Sequence, residues 1–134
     1  MGKWFLLLLL VVIVAVAWSM RGPAGDSDNY LTVGPDDFEK LIGNKDSVVI
    51  LDVRTLSEFQ EDHLRDALLI DVKTDSFMMA ARDRLPKDKT IAVYCRSGRR
   101  SAMAAEMLAA EGFKVVNLDG GIIRWRKSGK ETVR

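Results

Sequence analysis

The chain has 134 residues, a formal net charge of +1, 48% hydrophobic residues, one cysteine and one histidine. That length predicts one domain with a sizeable core rather than two. The near-zero charge leaves no electrostatic footprint for nucleic acid, the lone cysteine excludes an intrachain disulfide framework and a resolving thiol, and one histidine leaves no metal cluster of ordinary ligand spacing.

Met1-Gly2-Lys3 is a short basic start, and Trp4 through Ala17 is apolar without interruption. Residues 1–21 therefore predict a hydrophobic helix that precedes the domain, and it reads in two ways. As a signal peptide it has a basic start, a long apolar stretch and Ala15-Val16-Ala17 as a small-x-small cleavage site. As an uncleaved membrane anchor, Trp4 to Met20 sits at the low end of the ~17–25 residues that a spanning helix needs. Trp4 and Trp18 suit an interfacial belt near its two ends. Both readings place the domain outside the cytoplasm, in the cell envelope: membrane-anchored, or periplasmic or secreted after cleavage. Lys3 and Arg21 are the segment's only charges, so without it the rest of the chain is near −1. Residues 22–29, rich in glycine and aspartate, read as a linker. Residues 30–134 read as the folded domain.

Tyr30-Leu31-Thr32-Val33 predicts a first strand, and Pro35 suits the first turn of a helix to Leu41-Ile42, stopped by Gly43. Ser47 to Leu51 is apolar without alternation, as in a strand covered on both faces. Thr55 or Ser57 caps a short helix through Phe59, and Ala67 to Ile70 is another short strand. Asp75-Ser76 caps a helix through Arg84, before Pro86. Thr90 to Tyr94 is a second fully apolar strand, Ala102 to Ala110 a helix closed by Gly112, Lys114 to Leu118 the last strand, and Gly121 to Lys127 the last helix. Five strands separated by helices predict an α/β fold, with a mainly parallel sheet carrying helices on both faces. Ligands of such sheets sit at the carboxyl ends of the strands.

Cys95 lies just past one such end and opens the run Cys95-Arg96-Ser97-Gly98-Arg99-Arg100-Ser101. Three arginines and the unpaired N–H groups of a helix start favour negative charge in one small space. Thiols so placed ionise well below the ~8.5 of free cysteine. The alternative is a buried structural cysteine, since free cysteine is among the most buried residue types. No apolar core holds Arg-Ser-Gly-Arg-Arg, so Cys95 reads as an exposed nucleophile.

The run Cys95 through Arg100 resembles the active-site loop of the rhodanese family of sulfurtransferases, in which a cysteine begins a six-residue cradle of backbone N–H groups. The resemblance covers most of the chain after residue 30. Leu51-Asp52-Val53-Arg54 with Glu58-Phe59 is similar to the family's first signature. Asp62-His63-Leu64-Arg65-Asp66-Ala67 is similar to its second, with aspartates where the family usually has glycines; an aspartate such as Asp66 can visit the left-handed region, though less easily than glycine. Leu118-Asp119-Gly120-Gly121-Ile122 with Trp125 is similar to its C-terminal signature. The resemblance implies a rhodanese-like fold and a thiolate of Cys95 that takes the outer sulfur of thiosulfate or polysulfide as a persulfide. A thiol, a protein or cyanide then accepts it. No cofactor is implied, and membrane contact is expected only through residues 1–21.

Within that reading, Arg96, Arg99 and Arg100 bind the sulfonate end of the donor, and the loop amides of Ser97 and Gly98 stabilise the persulfide. Gly98 either needs a positive φ or is an ordinary turn glycine. Ser97 and Ser101 cap the following helix or donate to the sulfur. Asp52 and Arg54 are expected to position the loop, with Arg54 pairing Glu58 at i,i+4 spacing. His63 and Trp125 read as structural. Met78, Met79, Met103 and Met107 read as core filling. Two rivals remain. Cysteine phosphatases of related architecture place arginine one residue later, where this chain has Ser101. A sulfur-carrier, sensor or partner-binding module would use Cys95 without turnover.

Overall fold

The computed structural model describes residues 29–134. The expected export or anchor segment, and the linker up to residue 28, lie outside the described residues. Among the described residues no helix is long and apolar enough to cross a membrane.

Strands β1 (Leu31–Val33), β2 (Val48–Asp52), β3 (Leu68–Leu69), β4 (Thr90–Tyr94) and β5 (Lys114–Leu118) alternate with helices α1 (Pro35–Ile42), α2 (Leu56–Glu61), α3 (Phe77–Arg84), α4 (Arg99–Ala110) and α5 (Gly121–Lys127). The strands form one sheet in the order β1-β5-β4-β2-β3, and every pairing within it is parallel. The apolar runs of β2 and β4 lie next to each other, Val48 opposite Thr90 through Asp52 opposite Tyr94. Both faces of that centre are covered, which is why neither run alternates with polar residues.

Alternation along β4 sorts the core into two layers. Ile91, Val93 and Cys95 pack with Phe77, Ala81, Ala104, Ala105 and Leu108 from α3 and α4. Ala92 and Tyr94 pack with Phe38, Leu118, Ile122 and Trp125 on the side of α1 and α5. Trp125 meets Phe38 edge to face at 6.1 Å and donates its indole N–H to the Glu131 carbonyl.

Local details depart from the sequence expectation in three places. Helix α4 begins at Arg99, three residues before the predicted start, so Arg99, Arg100 and Ser101 form its first turn. Gly43 ends α1 as expected, in the right-handed region. Ser76 precedes α3 but makes no side-chain cap. Of the four methionines expected in the core only Met78 packs against it; Met79, Met103 and Met107 are 72%, 53% and 41% exposed. The buried stripe of α4 is Ser101, Ala104, Ala105 and Leu108, which turns Met103 and Met107 outward. Asp66 adopts the left-handed conformation, with φ 66°.

Candidate active site

Cys95 continues the β4 alternation by one residue, which carries its side chain into the α4 layer. The chain then leaves the sheet as a loop that feeds α4. Cys95 is fully buried, whereas Arg96, Ser97 and Arg99 are exposed. The expected exposed thiol is therefore corrected: the sulfur lies at the floor of the loop and only the residues after it reach solvent. Burial and a polar sequel are compatible because they fall on opposite sides of one turn.

Two donors meet the sulfur. The Gly98 N–H lies 3.1 Å from Sγ and the Ser101 hydroxyl 3.3 Å from it. The first requires Gly98 at φ 98°, where a side chain is strained, and a Cβ there would also stand 3.3 Å from the Gly120 nitrogen. This decides for the positive-φ reading. Ser101 is wholly buried on the first turn of α4. The helix has no side-chain N-cap, so neither serine caps it. The N–H groups of Arg96, Ser97, Arg99, Arg100 and Ser101 have no acceptor among the described residues. They are the unpartnered donors of the loop and of the start of α4, a setting that favours negative charge.

The arginines divide. Arg96 and Arg99 are exposed, without an ion-pair partner among the described residues. Arg100 is engaged: its two terminal nitrogens donate to Glu58 at 2.7 and 2.9 Å. Glu58 also closes a capping box with Thr55 at the start of α2. The hydrogen bonds from Arg100 bring the Glu58 carboxyl down to about 2, against the opposing effect of its partial burial. The same bonds hold Arg100 above its ordinary range, with smaller contributions from Cys95 and Asp71.

Arg54 does not pair with Glu58. Its backbone N–H and Nε donate to Asp52, its Nη2 reaches Asp52 Oδ2 at 2.7 Å and the Asp62 carbonyl at 2.6 Å, and both side chains are essentially buried. Burial works most strongly against the Arg54 charge, but the bonds to Asp52 together with the charges of Asp52, Tyr94 and Glu58 outweigh it, so its ionisation lies above the ordinary value. Tyr94 lies beneath the guanidinium, 5.6 Å from it, and its hydroxyl accepts the Leu64 N–H. Burial pushes that phenol up. Asp52 and Arg54 thus tie the end of β2 to the turn after α2, and the Val53 N–H binds the Tyr94 carbonyl one residue before Cys95. His63 stacks on Phe59 at 3.7 Å and shares a hydrogen bond with the Phe59 carbonyl. No group of three or more metal-binding side chains occurs among the described residues. A groove of about 520 Å³ lies elsewhere, lined by Ile42, Val48, Ile50, Leu64 and Trp125, and no residue of the Cys95 loop reaches it.

A domain of parallel strands with a cysteine at the carboxyl end of its central strand, its sulfur met by the Gly98 N–H and the Ser101 hydroxyl of the loop and helix that follow, defines a class. A family model described as the Rhodanese-like domain matches residues 34–128, and the chain belongs to that family. It is 32% identical over 98 residues to a protein of Allochromatium vinosum named sulfurtransferase, covering 72% of this chain and 89% of that one. It is 30% identical to a rhodanese-related protein of Thermoplasma volcanium of known structure, with a TM-score of 0.64, covering 78% of this chain and 98% of that one. A protein of unknown function from Rhodopseudomonas palustris, described as a possible tyrosine phosphatase, shares the fold at 24% identity and a TM-score of 0.70, covering 81% of this chain and 89% of that one.

Proposed function

We propose that the domain is a sulfurtransferase that moves a sulfane sulfur from thiosulfate or polysulfide to a thiol, protein or cyanide acceptor through a Cys95 persulfide. The observation that carries this is the Cys95 sulfur held by the Gly98 N–H and the Ser101 hydroxyl, in a loop and helix start whose other amides have no acceptor among the described residues. Membership of the rhodanese-like family and the sulfurtransferase name of the Allochromatium relative support it.

In the first step the Cys95 thiolate attacks the outer sulfur of thiosulfate. The S–S bond of the donor breaks, its electron pair leaves with sulfite, and Cys95 keeps the outer sulfur as an anionic persulfide. In the second step cyanide or a thiolate attacks that sulfur and the Cys95 thiolate leaves, as in two-step covalent catalysis. The loop amides meet the negative sulfur as an oxyanion hole meets oxygen. Arg96 and Arg99 attract the sulfonate end; Arg100, already held by Glu58, serves through its backbone N–H. A buried thiol suits a donor whose reacting atom is terminal and slim. For a phosphatase, the guanidinium would be expected at position 101, where Ser101 instead touches the sulfur.

The test is thiocyanate formation from thiosulfate and cyanide by residues 22–134, beside Cys95→Ala, with the intact mass read after thiosulfate alone. Activity lost in the variant and a gain of one sulfur on the wild type are expected. No activity and no mass gain with thiosulfate or polysulfide would turn the reading to a carrier or binding module, and hydrolysis of an aryl phosphate would turn it to a phosphatase. For the first 21 residues, the apolar run supports export of the domain to the cell envelope. N-terminal sequencing of membrane and soluble fractions tests it: a mature start after Ala17 means cleavage, and an intact Met1 in the membrane fraction means an anchor.

A further inference from the structure

The signature Asp119-Gly120-Gly121-Ile122 follows β5 and touches no substrate in the mechanism above. It does touch the loop. The Ile122 N–H donates to the Cys95 carbonyl at 2.9 Å, and the Ile123 N–H to the Arg96 carbonyl at 3.2 Å. These are first-turn donors of α5, which have no partner within their own helix. Gly121 sits at φ 59°, and a Cβ on it would stand 2.3 Å from the Arg96 oxygen and 2.6 Å from the Cys95 oxygen. No side chain fits between this turn and the loop.

A peptide unit is planar, and in the trans form its C=O and N–H point in opposite directions. All peptide bonds of the described residues are trans. Drawing the Cys95 carbonyl toward α5 therefore turns the Arg96 N–H away from α5. Drawing the Arg96 carbonyl the same way turns the Ser97 N–H with it. Those are two of the five loop and first-turn amides that have no acceptor among the described residues. Hydrogen bonding to each carbonyl also polarises the N–H at the other end of the same peptide unit.

We propose that Gly121 is a positioning residue for the transfer reaction: by letting the first turn of α5 close on the Cys95 and Arg96 carbonyls, it aims the Arg96 and Ser97 amides at the transferred sulfur. This rests on the Cys95 persulfide reading for what the amides bind, but the aiming itself is a property of the backbone.

Gly121→Ala is compared with Gly129→Ala, which imposes the same kind of strain at φ 75° but meets nothing within 4 Å. Amide resonances of Arg96, Ser97 and Gly98 in the ¹H–¹⁵N spectrum are expected to move in Gly121→Ala and to stay in place in Gly129→Ala. The kcat for thiocyanate formation is expected to fall about 100-fold or more in Gly121→Ala, the size of losing an oxyanion-hole donor. KM should change much less, since Arg96 and Arg99 remain, and Gly129→Ala should keep the wild-type kcat. A folded Gly121→Ala protein with wild-type kcat and unmoved loop resonances overturns the proposal. Should Gly121→Ala not fold, hydrogen exchange on the wild type decides: Ile122 and Ile123 amides as slow as those of α4 support the clamp, and freely exchanging ones overturn it. A wild type that gains no sulfur overturns the persulfide reading instead, and the loop resonances still decide the clamp.

Discussion

Two pairs of arginines flank the Cys95 loop and are used in opposite ways. Arg54 and Arg100 are each fixed to a carboxylate by two or more hydrogen bonds, one fully buried and one partly. Arg96 and Arg99 stand in solvent with no carboxylate beside them. A guanidinium whose donors are taken builds the site; one whose donors are free can receive an anion. The sequence shows four similar residues, and only the geometry separates scaffold from receptor.

The sharpest way to break this comparison is to remove one member of the buried pair. Arg54→Leu leaves Asp52 buried without its counter-charge, with only the backbone N–H of residue 54 as a donor, and is expected to destabilise the domain by about 3–5 kcal/mol in urea unfolding. A loss within the range of ordinary surface changes would mean that Arg54 is not scaffold. Next comes Glu58→Gln, which weakens the hold on Arg100 and is expected to lower stability by about 1–3 kcal/mol at neutral pH. Because the folded-state value of Glu58 lies at about 2 rather than 4.5, its contribution is complete above 4.5 and is lost as pH falls toward about 2. Stability of the wild type and of Glu58→Gln should therefore converge across that window, and curves that remain parallel across it would refute the pairing. Arg96→Ala and Arg99→Ala should leave urea midpoints unchanged to within about 0.5 kcal/mol. Each should raise KM for thiosulfate, and more so at low salt, where charge attraction acts furthest. Smallest of all is Met103→Ser on the exposed side of α4, expected to leave both midpoint and kcat in place; a large shift in either would mean that this face is packed in solution.

The strands of the sheet centre were legible because uninterrupted apolar runs have few other homes. The Cys95 loop was legible because a thiol followed by three arginines makes poor core. What escaped follows from longer range. Glu58 and Arg100 are 42 residues apart, so no local spacing announces their pairing. Arg54 and Glu58 have the spacing of a helical pair, but Thr55 is the cap of α2 and Arg54 lies before it, where i,i+4 geometry does not apply. The start of α4 escaped because its cap is a left-handed glycine with no side chain to signal it. The role of Gly121 rests on a close approach between backbones, which a string of letters records only as a glycine.

The outermost strands carry a different consequence. β1 has three residues and β3 two. A neighbouring chain seeking to extend this sheet would find only a few rungs on either side, too few to hold a strand in register. Short margins of this kind are how open sheets avoid templating their own growth. Concentrated solutions of the domain should therefore resist fibril formation, although among the described residues the sheet is open at both ends.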